Sequence, residues 1–366
     1  MNYTPFEATI TKVTQLTADT ISIAFEQPEG APLSYYPGQY LTLIADVNGN
    51  EVRRAYSLCS STYANELPTV AVKAVPNGVL STYLLSQAKA GSKLRLLAPM
   101  GHFMLEVQPL KARHIVLIGA GSGITPLYSI LKSVLLAEPN SLVTLIYGNR
   151  TEDSIIFGQE LYDWQQKYPA RLKVINCLSK APETWYGPKG RLDADLLAEL
   201  LEQSAPVISV SETHYYLCGP DGLMETATAE LKKAGVKPYQ IHKESFFHAV
   251  DEAAREAALA AAAAAVTSAH DDPSQGREVL IKFEGDEYTV LVKPEDTILS
   301  AALDQDIPLP YSCQAGLCTA CRARCMDGKV HMDEMEGLSQ SEADEGYVLC
   351  CVAHPLTKGV VIDYNA

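Results

Sequence analysis

The stretch HIVLIGAGSGITPLYSILKSVLLA, residues 114–137, decides the fold of the chain around it. Its first six residues are one apolar run, the pattern of a strand buried on both faces. Glycines at 119, 121 and 123 then turn the chain, and LYSILKSVLLA has helical patterning. Strand, glycine-rich turn and helix in that order open a parallel-sheet unit. The alternation continues through LVTLIYG, SIIFGQELYDWQQKY (a helix over 154–168), LKVINCLS, DADLLAELL, THYYLCG and GLMETATAELKKAG. Residues 111–250 are therefore expected to form an α/β parallel-sheet nucleotide-binding domain. Gly119, Gly121 and Gly123 let the backbone approach a pyrophosphate, whose charge the following helix N-terminus favours.

Upstream the texture differs. Residues 1–110 read as short strands (ATITKVTQL, TISIAFEQ, QYLTLIADV, RAYSLCS, TVAVKAV, KLRLLAP) separated by Gly, Pro and Asn, the signature of a small antiparallel β-barrel. Downstream, 251–276 is an alanine-rich linker, helical in its first half because Ala has the best helix propensity. Residues 277–366 form a third unit, with a hairpin (EVLIKFEG, EYTVLVKP), the capped helix PEDTILSAALDQD and a cysteine-bearing loop.

The chain has 366 residues, a length that asks for two or three domains. The N-terminus lacks the apolar core of a signal peptide, and no apolar run is long enough to span a bilayer, so a cytoplasmic protein without membrane attachment is expected. A formal net charge of −15 argues against nucleic-acid binding. Residues 277–366 hold 16 acidic and 7 basic side chains, either for solubility or to steer a basic partner.

Cys313, Cys318 and Cys321 follow C-x4-C-x2-C, with Cys350 and Cys351 about thirty residues on. This is the plant-type 2Fe-2S spacing. Small residues let a short loop wrap one end of a cluster, and the fourth thiolate comes from a separate strand. A structural zinc site wants a second C-x2-C pair, which is lacking. The third unit resembles plant-type ferredoxins over its whole length, which implies an α+β β-grasp fold. In that family the last ligand follows Y-V-L-x-C, so YVLCC, residues 347–351, implies Cys351 rather than Cys350 as the fourth ligand, with Cys325 outside the set.

A nicotinamide gives two electrons as hydride and such a cluster accepts one at a time, so a flavin between them is expected in the first domain. RAYS, residues 54–57, and GVLS, residues 78–81, resemble R-x-Y-S and G-x-x-S/T of the ferredoxin–NADP reductase family, and the resemblance covers residues 1–250. It implies that Arg54 pairs with an FAD pyrophosphate, that Tyr56 stacks on the isoalloxazine and that Ser57 hydrogen-bonds near N5. Gly78, Val79, Leu80 and Ser81 would present N–H groups and a hydroxyl to the phosphates. By the same resemblance Thr125 lies near the nicotinamide. Cys218, opening CGPDGLM with Gly219 and Pro220, belongs to the hydride-transfer site, and Glu244 and Phe246 of HKESFF lie by the flavin.

For the nicotinamide cofactor, Arg150 and Ser154 after the second strand suit a 2′-phosphate, whereas Glu152 and Asp153 suit free ribose hydroxyls. The balance favours NADPH over NADH. The order flavin barrel, nucleotide domain, ferredoxin resembles the oxygenase reductases, and RRAYSLCSS, YGNR with SIIF, and YVLCC resemble those of the phenylacetyl-CoA epoxidases within them. The long alanine-rich linker departs from them. The resemblance implies electron flow from NADPH to FAD to the cluster to a multi-subunit diiron oxygenase. Reductases for other oxygenases, hydroxylases or desaturases, a stand-alone reductase for soluble carriers, and a redox sensor stay open as alternatives.

Overall fold

The structure is a computed structural model that describes residues 5–28, 32–205, 210, 212–245, 276–311, 313, 314, 316, 319–333, 335, 337, 338 and 340–365. The chain divides into two compact units, one over 5–246 and the other including 247–366. The linker expected at 251–276 lies outside the described residues except Gly276.

The first unit opens with a six-stranded antiparallel sheet: β1 (Phe6–Thr17), β2 (Thr20–Phe25), β3 (Tyr40–Val47), β4 (Asn50–Ser57), β5 (Thr69–Lys73) and, after helix α1 (Val79–Gln87), β6 (Lys93–Leu96). The spatial order is β4-β3-β6-β1-β2-β5. A bridge between Leu58 and Val70 joins the two outer strands and closes the sheet into a barrel, which removes both exposed edges. Period-2 alternation sends Ile21, Ile23 and Phe25 of β2 inward, where they meet Leu41, Leu43 and Leu96.

The nucleotide-binding part of that unit follows as β7 (His114–Ala120), α2 (Ile124–Ala137), β8 (Leu142–Asn149), α3 (Gly158–Lys167), β9 (Leu172–Leu178), α4 (Ala194–Gln203), β10 (Thr213–Gly219), α5 (Asp221–Lys233) and β11 (Ile241–Ser245). The parallel sheet has order β11-β10-β7-β8-β9. Chain order reverses beside β7, so the crevice at the carboxyl ends of β7 and β10 is the place for a ligand. Twelve of the fourteen residues of α2 are buried, because it packs on the sheet and also on the barrel. There Ser129 Oγ donates to the Ser60 carbonyl at 2.6 Å, Ser61 and Ser133 hydroxyls meet at 2.7 Å, and Lys132 pairs with Glu66.

The helix expected over 154–168 is shorter. Residues Glu152–Ser154 form a single 3-10 turn, and the α-helix starts only at Gly158. Phe157 sits at φ 61°, a left-handed conformation that a continuous helix cannot contain. Its ring compensates by stacking on Tyr128 with centroids 4.5 Å apart.

The second unit comprises β12 (Arg277–Phe283), β13 (Asp286–Val292), α6 (Ile298–Leu303), β14 (Arg322–Asp327), β15 (Val330–Met332), α7 (Gln340–Asp344), β16 (Tyr347–Leu349), β17 (Ala353–Pro355) and β18 (Val360–Asp363). The mixed sheet runs β13-β12-β18-β14-β16, with β15 and β17 as a separate pair. Thr297 caps α6, its hydroxyl accepting from the Ser300 N–H at 3.1 Å. Val279, Ile281, Val290 and Ile362 from the sheet enclose the α6 side chains Ile298, Leu299 and Ala302.

Candidate functional site

Three groups of candidate residues stand out, two in the first unit and one in the second. In the barrel, β4 pairs in register with β3, placing Tyr40 opposite Ser57 and Leu41 opposite Tyr56. Alternation along β4 leaves Arg54 exposed, Tyr56 half-buried and Ser57 buried. Burial drives the Tyr56 phenol up and Arg54 opposes it, so a neutral ring is available for stacking. Gly78 begins α1. A Cβ there would come within 2.5 Å of Ser81 Oγ and 3.0 Å of the Val75 carbonyl. That close approach is the cradle expected of a phosphate loop. Val79 is exposed, whereas the Leu80 and Ser81 side chains turn inward. The Ser81 hydroxyl accepts the Val75 N–H at 3.2 Å and so closes the loop itself.

At the carboxyl end of the parallel sheet, Gly121 has φ 55° and its carbonyl accepts the Tyr147 hydroxyl at 2.7 Å. A Cβ on Gly123 would lie 2.0 Å from the Cys218 carbonyl, and one on Gly119 would lie 3.1 Å from it. The glycines thus serve two needs, a turn and the tight apposition of the loop to β10. Gly219 packs against Ala120, and Pro220 caps α5. The Thr125 hydroxyl is buried and donates to the Ser122 carbonyl at 3.0 Å, bracing the first turn of α2. Asn149 Nδ2, at the end of β8, and Asn176 Oδ1, toward the end of β9, are buried without a hydrogen-bond partner among the described residues. Orphaned polar atoms at this crevice suit a polar ligand such as a dinucleotide.

Arg150 is exposed just past β8. The Ser154 hydroxyl instead donates to the Thr151 carbonyl at 2.7 Å and accepts the Thr151 N–H, so it belongs to the 3-10 turn. A residue that sequence reading passed over stands beside Arg150. The Lys180 N–H donates to the Arg150 carbonyl at 2.8 Å, one step beyond the Ser179-to-Asn149 bond. Extended β8–β9 pairing therefore brings two basic residues, both exposed, to the same end of the sheet; the paired strand ends NR and LSK were the available signal.

Barrel and nucleotide domain meet at Ser57. Its hydroxyl donates to Glu244 Oε2 at 3.3 Å, and the β10–β11 register sets Glu244 opposite Cys218. Cys218 is fully buried. A hydroxyl, a thiol and a carboxylate thus converge above the crevice. Phe246 lies outside the described residues.

In the second unit Cys313, Cys321 and Cys351 are buried cysteines. Hydrogen bonds that the Cys351 thiol donates to Cys313 and Cys321, together with burial, hold it well above its ordinary range. Crowded buried thiols that share one another's hydrogen bonds are a poor resting arrangement. They suit a bound cationic iron centre, which takes them as thiolates. Gln314 at φ 53° and Gly316 at φ 70° wind the loop, and the Gly316 carbonyl accepts the Gly337 N–H at 2.7 Å. Cys350 is fully buried beside Tyr364. Cys325 is half-buried, its Sγ 3.3 Å from the Asp327 carbonyl. Cys318 lies outside the described residues. Among the described residues no three His, Cys, Asp or Glu side chains close around a single-ion position.

Comparison with known proteins matches three family models: an oxidoreductase FAD-binding domain over residues 7–105, an oxidoreductase NAD-binding domain over 117–229 and a 2Fe-2S iron-sulfur cluster binding domain over 281–356. A component of the 1,2-phenylacetyl-CoA epoxidase from Escherichia coli K12 is 36% identical over 98% of this chain and 97% of its own. The ferredoxin reductase component of 3-ketosteroid-9-alpha-monooxygenase from Rhodococcus rhodochrous is 34% identical over 97% and 96%. The solved phthalate dioxygenase reductase shares the fold, with a TM-score of 0.64 over 98% of both chains at 22% identity. With its flavin barrel, nucleotide domain and C-terminal 2Fe-2S domain in one polypeptide, the chain belongs to the oxygenase reductases of the ferredoxin–NADP reductase type.

Proposed function

We propose that this reductase takes its electrons from NADPH and delivers them to the diiron oxygenase component of a phenylacetyl-CoA epoxidase. The observation carrying the acceptor is the full-length likeness to the Escherichia coli epoxidase component. For the cofactor it is the adjacency of Arg150 and Lys180 at the end of the β8–β9 pair, where two cations suit a 2′-phosphate better than bare ribose hydroxyls.

A bound FAD would supply the exchange between a two-electron hydride and single electrons, and a 2Fe-2S cluster would supply the one-electron relay. The residues orient and insulate that chemistry. Arg54 and the N–H groups of Val79, Leu80 and Ser81 hold the flavin phosphates, and Tyr56 supplies a neutral stacking face. The Gly119–Gly123 loop and the start of α2 hold the nicotinamide dinucleotide pyrophosphate. Gly219 and Pro220 shape the far wall of the crevice. Cys218 would line the hydride-transfer position, and Ser57 with Glu244 would govern the proton beside it. Phe246 and Cys318 complete the flavin site and the ligand set of Cys313, Cys321 and Cys351.

The test is reconstitution. The purified protein with the epoxidase oxygenase subunits should consume NADPH in step with epoxide formation. The same protein with a ketosteroid monooxygenase oxygenase should turn over at background rate. Equal or faster coupling to the ketosteroid enzyme would overturn the acceptor assignment and favour the reading that the 34% relative supports.

A further inference from the structure

Beneath the Ser57–Cys218–Glu244 cluster, β10 and β11 carry titratable groups that the hydride step does not use. Residues two apart on a strand share a face. Glu244 therefore stands above His242 on β11, and Cys218 above Tyr216 and His214 on β10. The parallel register sets Tyr216 opposite His242, and the two rings stack with centroids 4.4 Å apart at 16°. Nitrogen then follows nitrogen toward the surface. His242 Nε2 lies 3.3 Å from His214 Nδ1, and His214 Nε2 lies 3.4 Å from Glu212 Oε2. Glu212 pairs with Lys111 at 2.9 Å, and its side chain is 30% exposed. At the top, Ser57 reaches Glu244 at 3.3 Å. The remaining step, Glu244 to His242, spans about 7 Å of backbone, a reach for a rotating carboxylate or one water.

The redox balance requires such a path. NADPH yields NADP+, two electrons and one proton. The electrons leave singly through the cluster, and the proton leaves to water. We propose that Glu244, His242, His214 and Glu212 form the exit path for that proton. An imidazole can accept on one nitrogen while releasing from the other, which suits a relay. Burial, with His214 and Arg113, pulls the His242 pKa down to about 4, so this ring passes a proton on and does not store it. Phe103 closes the barrel side, packing edge-on to Tyr216 at 5.6 Å. Among the described residues, the charged groups acting on the column are Glu244, Glu212, Lys111 and the buried pair Arg113 and Glu138.

The proposal rests on the reading of Ser57, Cys218 and Glu244 as the hydride site, and the experiment separates the two. The full-length holoprotein is reduced by one equivalent of NADPH in a stopped-flow cell and reoxidised by ferricyanide, with a pH-indicator dye reporting the proton. His242→Phe, which keeps the stack, and His214→Phe, nearer the surface, should retain FAD and flavin reduction within about twofold. Both should slow proton release by about tenfold or more, a barrier change of about 1.4 kcal/mol, with recovery on adding free imidazole. Independently of turnover, imidazole 15N resonances of the resting protein should show His242 titrating differently once His214 is replaced. Proton release at the wild-type rate in both variants, while Glu244→Gln slows it, overturns the path and leaves the hydride site standing. If Glu244→Gln alters neither flavin reduction nor proton release, the hydride-site reading falls and the path with it.

Discussion

Cys350 and Cys351 are neighbours in sequence with opposite environments. Cys351 is hydrogen-bonded to Cys313 and Cys321, whereas Cys350 is packed against Tyr364. Cys351→Ser should lose the rhombic EPR signal of the reduced cluster, and Cys350→Ser should keep it at a modest cost in stability; the reverse pattern would refute the assignment. His114 gives a pH prediction. It is buried, its Nε2 is 2.9 Å from Thr144 Oγ1, and burial lowers its pKa to about 4 from 6.5. The folded state therefore resists the proton that the unfolded chain accepts. Its contribution is complete above about pH 6.5 and is lost as pH falls toward 4, by up to about 3 kcal/mol. Urea melts between pH 7 and 4.5 should show the wild type losing more stability than His114→Gln. The cysteine spacing was legible because a cluster fixes ligand intervals along the chain. The engagement of the Thr125 and Ser154 hydroxyls with their own turns was not, because a motif names a residue type and not the direction of its hydroxyl.

At the level of elements, the connector between barrel and sheet is tied to the end of α2 by a buried pair. Arg113 Nε meets Glu138 Oε2 at 3.0 Å, and Glu138 also accepts the Gln108 N–H at 2.9 Å and the Ser141 hydroxyl at 2.7 Å. Glu138→Gln leaves a guanidinium uncompensated and should cost about 3–5 kcal/mol in chemical denaturation. Arg113→Met with Glu138→Leu together should cost less than that single change. Gly123→Ala tests the glycine loop. The added methyl meets the Cys218 carbonyl at 2.0 Å, so loop and β10 must part. Nicotinamide affinity should fall by about tenfold or more, about 1.4 kcal/mol, while FAD content holds. Strand–helix alternation was readable from apolar periodicity. The late start of α3 was not, since Phe157 adopts a positive φ to stack on Tyr128, a contact across 29 residues. Lys180 escaped notice for the same reason, because strand pairing joins it to Arg150.

For the whole molecule, charge and electron flow set the expectations. The chain carries −15 overall, and nine of those charges fall in residues 277–366. If this field steers the oxygenase to the cluster, electron transfer between them should slow as salt rises and the screening length shrinks from about 10 Å at 0.1 M to about 3 Å at 1 M. Rates measured by stopped flow that ignore ionic strength would assign the charge to solubility alone. Removing the cluster through Cys313→Ser should leave nicotinamide-dependent ferricyanide reduction intact and abolish delivery to the oxygenase. Domain order and cofactor classes were visible in the sequence because each domain bears its own local motif. The path from Glu244 to Glu212 was not, because it joins β10 and β11, whose histidines are 28 residues apart and meet only in the fold.

The closeness of Cys351 to Cys313 and Cys321 also bears on how the protein is made. Before iron arrives, these thiols are the reduced form of a disulfide waiting for an oxidant. Where the empty loop opens enough for a thiol to ionise, exchange with oxidised glutathione would tie Cys351 to a neighbour and withdraw two of the proposed ligands at once. Maturation is then a race between iron delivery and thiol oxidation. Protein recovered without iron should regain its colour only when a reductant precedes the iron and sulfide.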